Sequence, residues 1–149
     1  MPVNQNQFLK YLQNNFSQKQ KIIISISCGL DSTVLYNLIS KSQFFDIKNI
    51  FCIFFDHQKR VESKYEIKKF IKYYGVNKKN IFIKKLKLGK NETSFQNKAR
   101  TARHKYILKL SKLIGSDEVF LGHHLDDLKE SYFLRKIQSS NALGLSNIF

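Results

Sequence analysis

Apolar residues recur along this chain in two rhythms, one of period two or continuous and one of period 3.6. Phe8, Leu9, Leu12 and Phe16 share a helical face and predict an amphipathic helix over residues 5–16. The β-branched run at 21–27 predicts a strand, and 32–40 a helix after it. A second strand is expected over 49–57, too uniformly apolar to have one wet face. Over 61–74, Ile67, Phe70, Ile71 and Tyr74 fall on one helical face and Lys64, Lys68, Lys69 and Lys72 on the other, with Gly75 as the stop. A strand over 80–86, a helix over 95–114 ended by Gly115, a strand over 118–122 and a helix over 123–138 complete the series.

Apolar strands alternating with helices predict a parallel sheet covered on both faces. Right-handed crossovers make it a doubly wound α/β sheet in three layers, α/β/α. At 149 residues the chain is expected to form one domain over 1–149. Ligands of such folds sit at the carboxyl ends of the strands. The loops to watch are therefore 27–33, 55–63 and 122–131.

Composition narrows the class. A 42% hydrophobic and 13% aromatic content is that of a globular chain. No apolar run approaches the roughly 18 residues of a membrane span, so no membrane partner is expected. The start lacks the apolar middle of a signal peptide. Two separated cysteines, Cys28 and Cys52, form neither a disulfide framework nor a metal site. These features point to a reducing compartment, the cytoplasm or the interior (stroma or matrix) of an organelle. Heavy use of Lys, Asn, Ile and Phe suits an AT-rich genome of the organellar kind.

The formal net charge is +15, and ten lysines stand between Lys64 and Lys90 against a single acid, Glu66. Such a field suits a polyanion such as RNA, although a solvated face is the plainer explanation.

Candidate chemistry starts at "ISISCGLDST" (24–33). No Walker lysine and no G-x-G-x-x-G turn is present. Instead Ser27, Cys28, Gly29, Leu30, Asp31 and Ser32 lead from a strand into a helix start, where free N–H groups suit an anion. Asp31 fits beside phosphate if Mg²⁺ lies between them, since that cation takes carboxylate and phosphate oxygens together. Alternatively Asp31 only caps the helix and Gly29 only turns the chain. In "GHHLDDLKES" (122–131), His123, Asp127 and Glu130 fall on one helical stripe, with His124 and Asp126 beside them. Acids in a first turn can serve the helix dipole alone. A zinc site is the weaker alternative, with no cysteine and no second histidine pair to complete it. A carboxylate pair at i, i+3 could grip an ammonium group, and a nearby imidazole could move protons.

These segments carry a resemblance. "SCGLDS" resembles the SGGxDS loop of the N-type ATP pyrophosphatases (PP-loop, adenine nucleotide alpha hydrolase-like fold). "FFDHQKRVES", "KARTARHKYI", "GHHLDDLKES" and "ALGLSNI" are similar, in order, to segments of the tRNA(Ile)-lysidine synthetase branch. The resemblance covers about residues 21–148. It implies ATP-dependent ligation of lysine to the wobble cytidine of an isoleucine tRNA with CAU anticodon. The cytosine C2 oxygen is adenylylated with release of pyrophosphate, and the lysine amine then displaces AMP. By this resemblance ATP and Mg²⁺ sit on residues 27–32, with Asp31 as the metal ligand. Asp127 and Glu130 hold free L-lysine, and Asp31, His123, His124 and Asp127 are the catalytic candidates. The partner is tRNA(Ile).

Departures are Cys28 for glycine, Phe54 for histidine, Gln96 for glutamate, His104 for tyrosine and Ser131 for threonine. Cys28 is expected to crowd the phosphate. The family continues beyond the equivalent of Phe149, so the C-terminal tRNA-binding parts are expected to be missing here or supplied by a second polypeptide. Two rivals remain: a tRNA thiolase of the same superfamily, and a non-catalytic basic RNA-binding remnant.

Overall fold

In this computed structural model the described residues are 4–56, 62–86, 95–116, 118–122 and 135–136. Strand β1 (Ile22–Ile26) is central, and its side chains alternate between two separate apolar cores. Ile22, Ile24 and Ile26 enter one core, and Ile23 enters the other. The period of two in a strand demands this split once both faces are covered.

Helices α1 (Gln5–Asn15), α2 (Leu30–Ser42) and α3 (Glu62–Tyr74) cover the first face through Leu12, Leu35, Tyr36, Ile39, Ile67 and Phe70. Helix α4 (Phe95–Ile114) covers the second through Ile107 and Leu110, which meet Ile53 and Val119. Helices on both faces make the sheet doubly wound, as the alternation of periods predicts.

Strands β2 (Ile50–Asp56), β3 (Ile81–Lys85) and β4 (Glu118–Leu121) run parallel to β1 in the order β3-β2-β1-β4. Single 3₁₀ turns at Ile47–Asn49 and Lys78–Asn80, each capped by the Asx side chain before it, lead into β2 and β3. The left-handed Gly75 and Gly115 end α3 and α4, and the next N–H of each, Val76 and Ser116, closes back on the helix carbonyls of Ile71 and Ser111. Helix α2 starts at Leu30, two residues before the expected start, because Gly29 already takes the extended cap conformation.

One expectation is corrected. A helix was expected over 123–138, yet Arg135–Lys136 form β5, paired antiparallel with β4 through Glu118–Lys136 and Val119–Arg135. The outer edge of β4 offers a row of unpaired N–H and C=O groups, and these two residues satisfy part of it. Helical periodicity carries no trace of that competing demand. The rest of the 123–138 helix lies outside the described residues.

After β1 the chain winds outward through β2 to β3, then returns to place β4 on the other side of β1. The crevice between the carboxyl ends of β1 and β4 is thus the switch point, where open α/β sheets take their ligands.

Candidate nucleotide site at the switch point

The loop 27–29 leaves β1 at that crevice and enters α2 at once. Its hydroxyls lock the turn. Ser32 donates to the Gly29 carbonyl (3.2 Å), so across the 3.0 Å between the two hydroxyls Ser27 is the donor and Ser32 the acceptor. Ser32 Oγ also accepts from the Ser27 N–H, and Ser27 Oγ from the Gly29 N–H. Thr33 Oγ1 closes on the Gly29 carbonyl at 2.8 Å. Both serine protons are therefore used within the loop, and Ser32 is buried.

The N–H groups of Leu30, Asp31 and Ser32 open α2 and have no intrahelical acceptor, whereas that of Thr33 already bonds the Gly29 carbonyl. Gly29, at the N-cap, has no side chain to close on them. Asp31 stands half-buried in the same turn, and Leu30 is 78% exposed.

Cys28 adopts φ +61°, the left-handed region. Its side chain packs against the first-face core instead of projecting at the mouth of the loop. Burial, and then the charge of Glu66 on α3, push the thiol up to about 11. The positive φ carries a backbone cost of its own: a side chain occupies a conformation that glycine takes freely, at roughly 1–2 kcal/mol. Phe54 is also an inward position. It is fully buried on the first face, with its ring 5.6 Å from that of Phe70.

Gly122 ties the loop after β4 to this site. A Cβ built on it would stand 2.7 Å from Ser32 Cα, 2.8 Å from Ser32 N and 3.0 Å from the Asp31 carbonyl carbon. Backbone meets backbone here, and only a glycine allows it. The first residue of "GHHLDDLKES" is thus held against the two residues that end "SCGLDS". His123, His124, Asp127 and Glu130 themselves lie outside the described residues, as do 57–61 of the second loop.

Sequence reasoning gave no role to Asp56, at the carboxyl end of β2. It is 2% exposed, accepts a hydrogen bond from Ser63 Oγ at 2.9 Å, and offers its carbonyl to the Leu86 N–H. The signal was present. Asp56 continues the inward parity of Ile50, Cys52 and Phe54, so a carboxylate stands where the pattern calls for a core residue. The pair fixes the first turn of α3 to the rim of the sheet.

Helices on both faces of the sheet and a helix start at its switch point make this a doubly wound α/β domain with a ligand crevice between β1 and β4. The chain belongs to the PP-loop domain family, whose profile matches residues 1–148. It is 33% identical over 138 residues to the tRNA(Ile)-lysidine synthase of Thermosipho africanus, covering 89% of this chain and 32% of that protein. Against the chloroplastic tRNA(Ile)-lysidine synthase of Gracilaria tenuistipitata var. liui the identity is 29% over 147 residues, 96% of this chain and 45% of the other. This chain therefore spans about a third to under a half of the length of these relatives. Among solved structures, the U34-tRNA thiolase NcsA from Methanococcus maripaludis with its [4Fe-4S] cluster matches in fold. Its TM-score is 0.64 at 21% identity, over 83% of this chain and 46% of that one.

A PP-loop domain implies ATP binding, and the residues fit a polyphosphate: a turn locked by Ser27 and Ser32, the start of α2 directly after it, and a half-buried thiol packed against the core. Among the described residues no helix is long and apolar enough to cross a membrane, and no group of His, Cys, Asp and Glu could hold a metal ion by itself.

Proposed function

We propose that this domain performs ATP-dependent ligation of lysine to the wobble cytidine of an isoleucine tRNA with CAU anticodon. The observation that supports the reading is the Gly122–Ser32 backbone contact, which holds Gly122, the first residue of "GHHLDDLKES", against the 27–32 loop. The similarity to lysidine synthases over most of the chain supports it.

The start of α2 would hold the ATP phosphates, and Asp31 would be the ligand to a Mg²⁺ that would offset their charge. The adenylyl group passes to the cytosine C2 oxygen and pyrophosphate leaves. The lysine amine then attacks C2, and AMP departs with that oxygen. A free lysine amine, with a pKa of about 10.4, is almost wholly protonated at neutral pH, so a base must take its proton. His123 or His124 supplies it, while Asp127 and Glu130 grip the ammonium end of the substrate. Composition and the chloroplastic relative favour an organelle interior as the compartment.

A thiolase finds little support in the cysteines. Cys28 is pushed up to about 11 and the buried Cys52 to about 12 by desolvation, so neither is a ready thiolate. The left-handed Cys28 is the one observation favouring a non-catalytic RNA-binding remnant.

Single-turnover incorporation of labelled lysine into tRNA(Ile), followed against lysine concentration, separates these readings. Glu130→Gln is expected to raise the lysine requirement about ten- to a hundredfold, the weight of roughly 1.5–3 kcal/mol from a charge-assisted hydrogen bond, with ATP affinity unchanged. No ATP-dependent incorporation by the unaltered protein, together with intact RNA binding, would leave the remnant.

A further inference from the structure

Helix α3 turns an unusual face to solvent. Ile67 and Phe70 bury its inner side, while Lys64, Lys68, Lys69 and Lys72 are exposed on the outer side. Beside those lysines stand two tyrosines, Tyr65 at 69% and Tyr73 at 79% exposure. Residues 65, 69 and 73 follow one another at i, i+4, i+8, so the tyrosines lie on one stripe with Lys69 between them. At 1.5 Å per residue they are about 12 Å apart along the axis. The Tyr73 ring is steadied edge-on by Tyr74, with centroids 4.9 Å apart.

Lysines alone would keep a helix soluble. Two exposed aromatic rings add nothing to solubility, but they give unpaired bases a stacking platform, and ammonium groups beside them suit phosphates. A basic amphipathic helix can also lie on a membrane, but that needs a free apolar face. The apolar face of α3 is already buried in the core.

The helix is also well placed. The Ser63–Asp56 hydrogen bond fixes its first turn at the carboxyl rim of the sheet, and Glu66 lies near enough to Cys28 to push up its thiol.

We propose that the outer face of α3 docks single-stranded RNA, with Tyr65 and Tyr73 stacking on two unpaired bases and the lysines holding the phosphates between them. RNA on this face has one end at the rim that carries the 27–32 loop. The proposal rests on the reading that the substrate is a tRNA, and names where its unpaired region docks.

The test is fluorescence anisotropy of the whole chain with a labelled unpaired oligoribonucleotide and with a duplex of the same length. The unpaired RNA is expected to bind more tightly. Tyr65→Ala and Tyr73→Ala should each weaken it about tenfold, as loss of one stacked base does, while Tyr65→Phe keeps the affinity. Lys68→Gln and Lys72→Gln should each lower the log–log salt slope by roughly 0.7. Mg-ATP affinity should stay constant throughout, so the nucleotide site is read separately. RNA affinity untouched by both Tyr→Ala changes would overturn the proposal. So would equal or tighter duplex binding, or displacement of the RNA by polyglutamate as readily as by unlabelled RNA. Tyrosine-dependent RNA binding without lysine ligation would sink the ligase reading and leave this one standing.

Discussion

The backbone of Gly122 runs so close to that of Ser32 that a Cβ added at 122 would stand 2.7 Å from the Ser32 Cα. Rigid backbone lies on both sides of the contact, so neither can yield as a flexible side chain would. Gly122→Ala must therefore push β4's loop away from the first turn of α2. A loss of about 1–3 kcal/mol of stability, the usual cost of overpacking, is expected, with weaker ATP binding. Chemical denaturation and nucleotide titration of the same variant check both. A variant with unaltered stability and affinity would mean that the two loops are not held together.

Cys28 offers the opposite experiment. Its φ of +61° strains a side-chain-bearing residue, and its thiol contributes only partial burial. Cys28→Gly relieves the strain while giving the unfolded chain more freedom. ATP affinity is expected to stay equal or to rise, with a small change in stability. A marked loss of affinity would show that the thiol has a role of its own.

Alkaline pH probes the core beside the loop. Burial raises Cys28 from 9.0 to about 11 and Cys52 from 9.0 to about 12, and burial with the neighbouring Cys52 and Tyr74 raises Tyr36 from 10.0 to about 12. In the folded protein these groups keep protons that the unfolded chain releases from about pH 9 upward. The folded state then binds more protons, so stability falls as pH rises. Urea midpoints should be level between about pH 7 and 8.5 and decline above pH 9. Cys52→Ala should start lower and decline less steeply.

Much of this fold was legible in the sequence because strands and helices impose different apolar periods. The run 21–27 gave β1, and Ile67, Phe70, Ile71 and Tyr74 gave the inner face of α3. The switch-point loop was legible because a glycine, an acid and hydroxyls interrupt that apolar run. Three things were not. The antiparallel β5 answers the needs of the β4 edge, which no local period records. The left-handed backbone of Cys28 is a property of the turn, and nothing in a cysteine announces it. The Asp56–Ser63 bond joins residues seven apart across a change of element, so periodicity marks Asp56 as inward without naming its partner.

The central claim is that the 27–32 loop binds Mg-ATP, and isothermal titration of the purified chain tests it most directly. The unaltered protein should bind ATP in the presence of Mg²⁺, more weakly when the metal is chelated. Asp31→Ala should lose at least about tenfold in affinity with Mg²⁺, as expected on removal of a carboxylate that shares the metal with the phosphates. Its unfolding midpoint should barely move, because a first-turn acid contributes only about 0.3–1 kcal/mol to the helix. Equal Mg-ATP affinity in the two proteins would contradict the account, leaving Asp31 a helix-capping acid and the loop a turn.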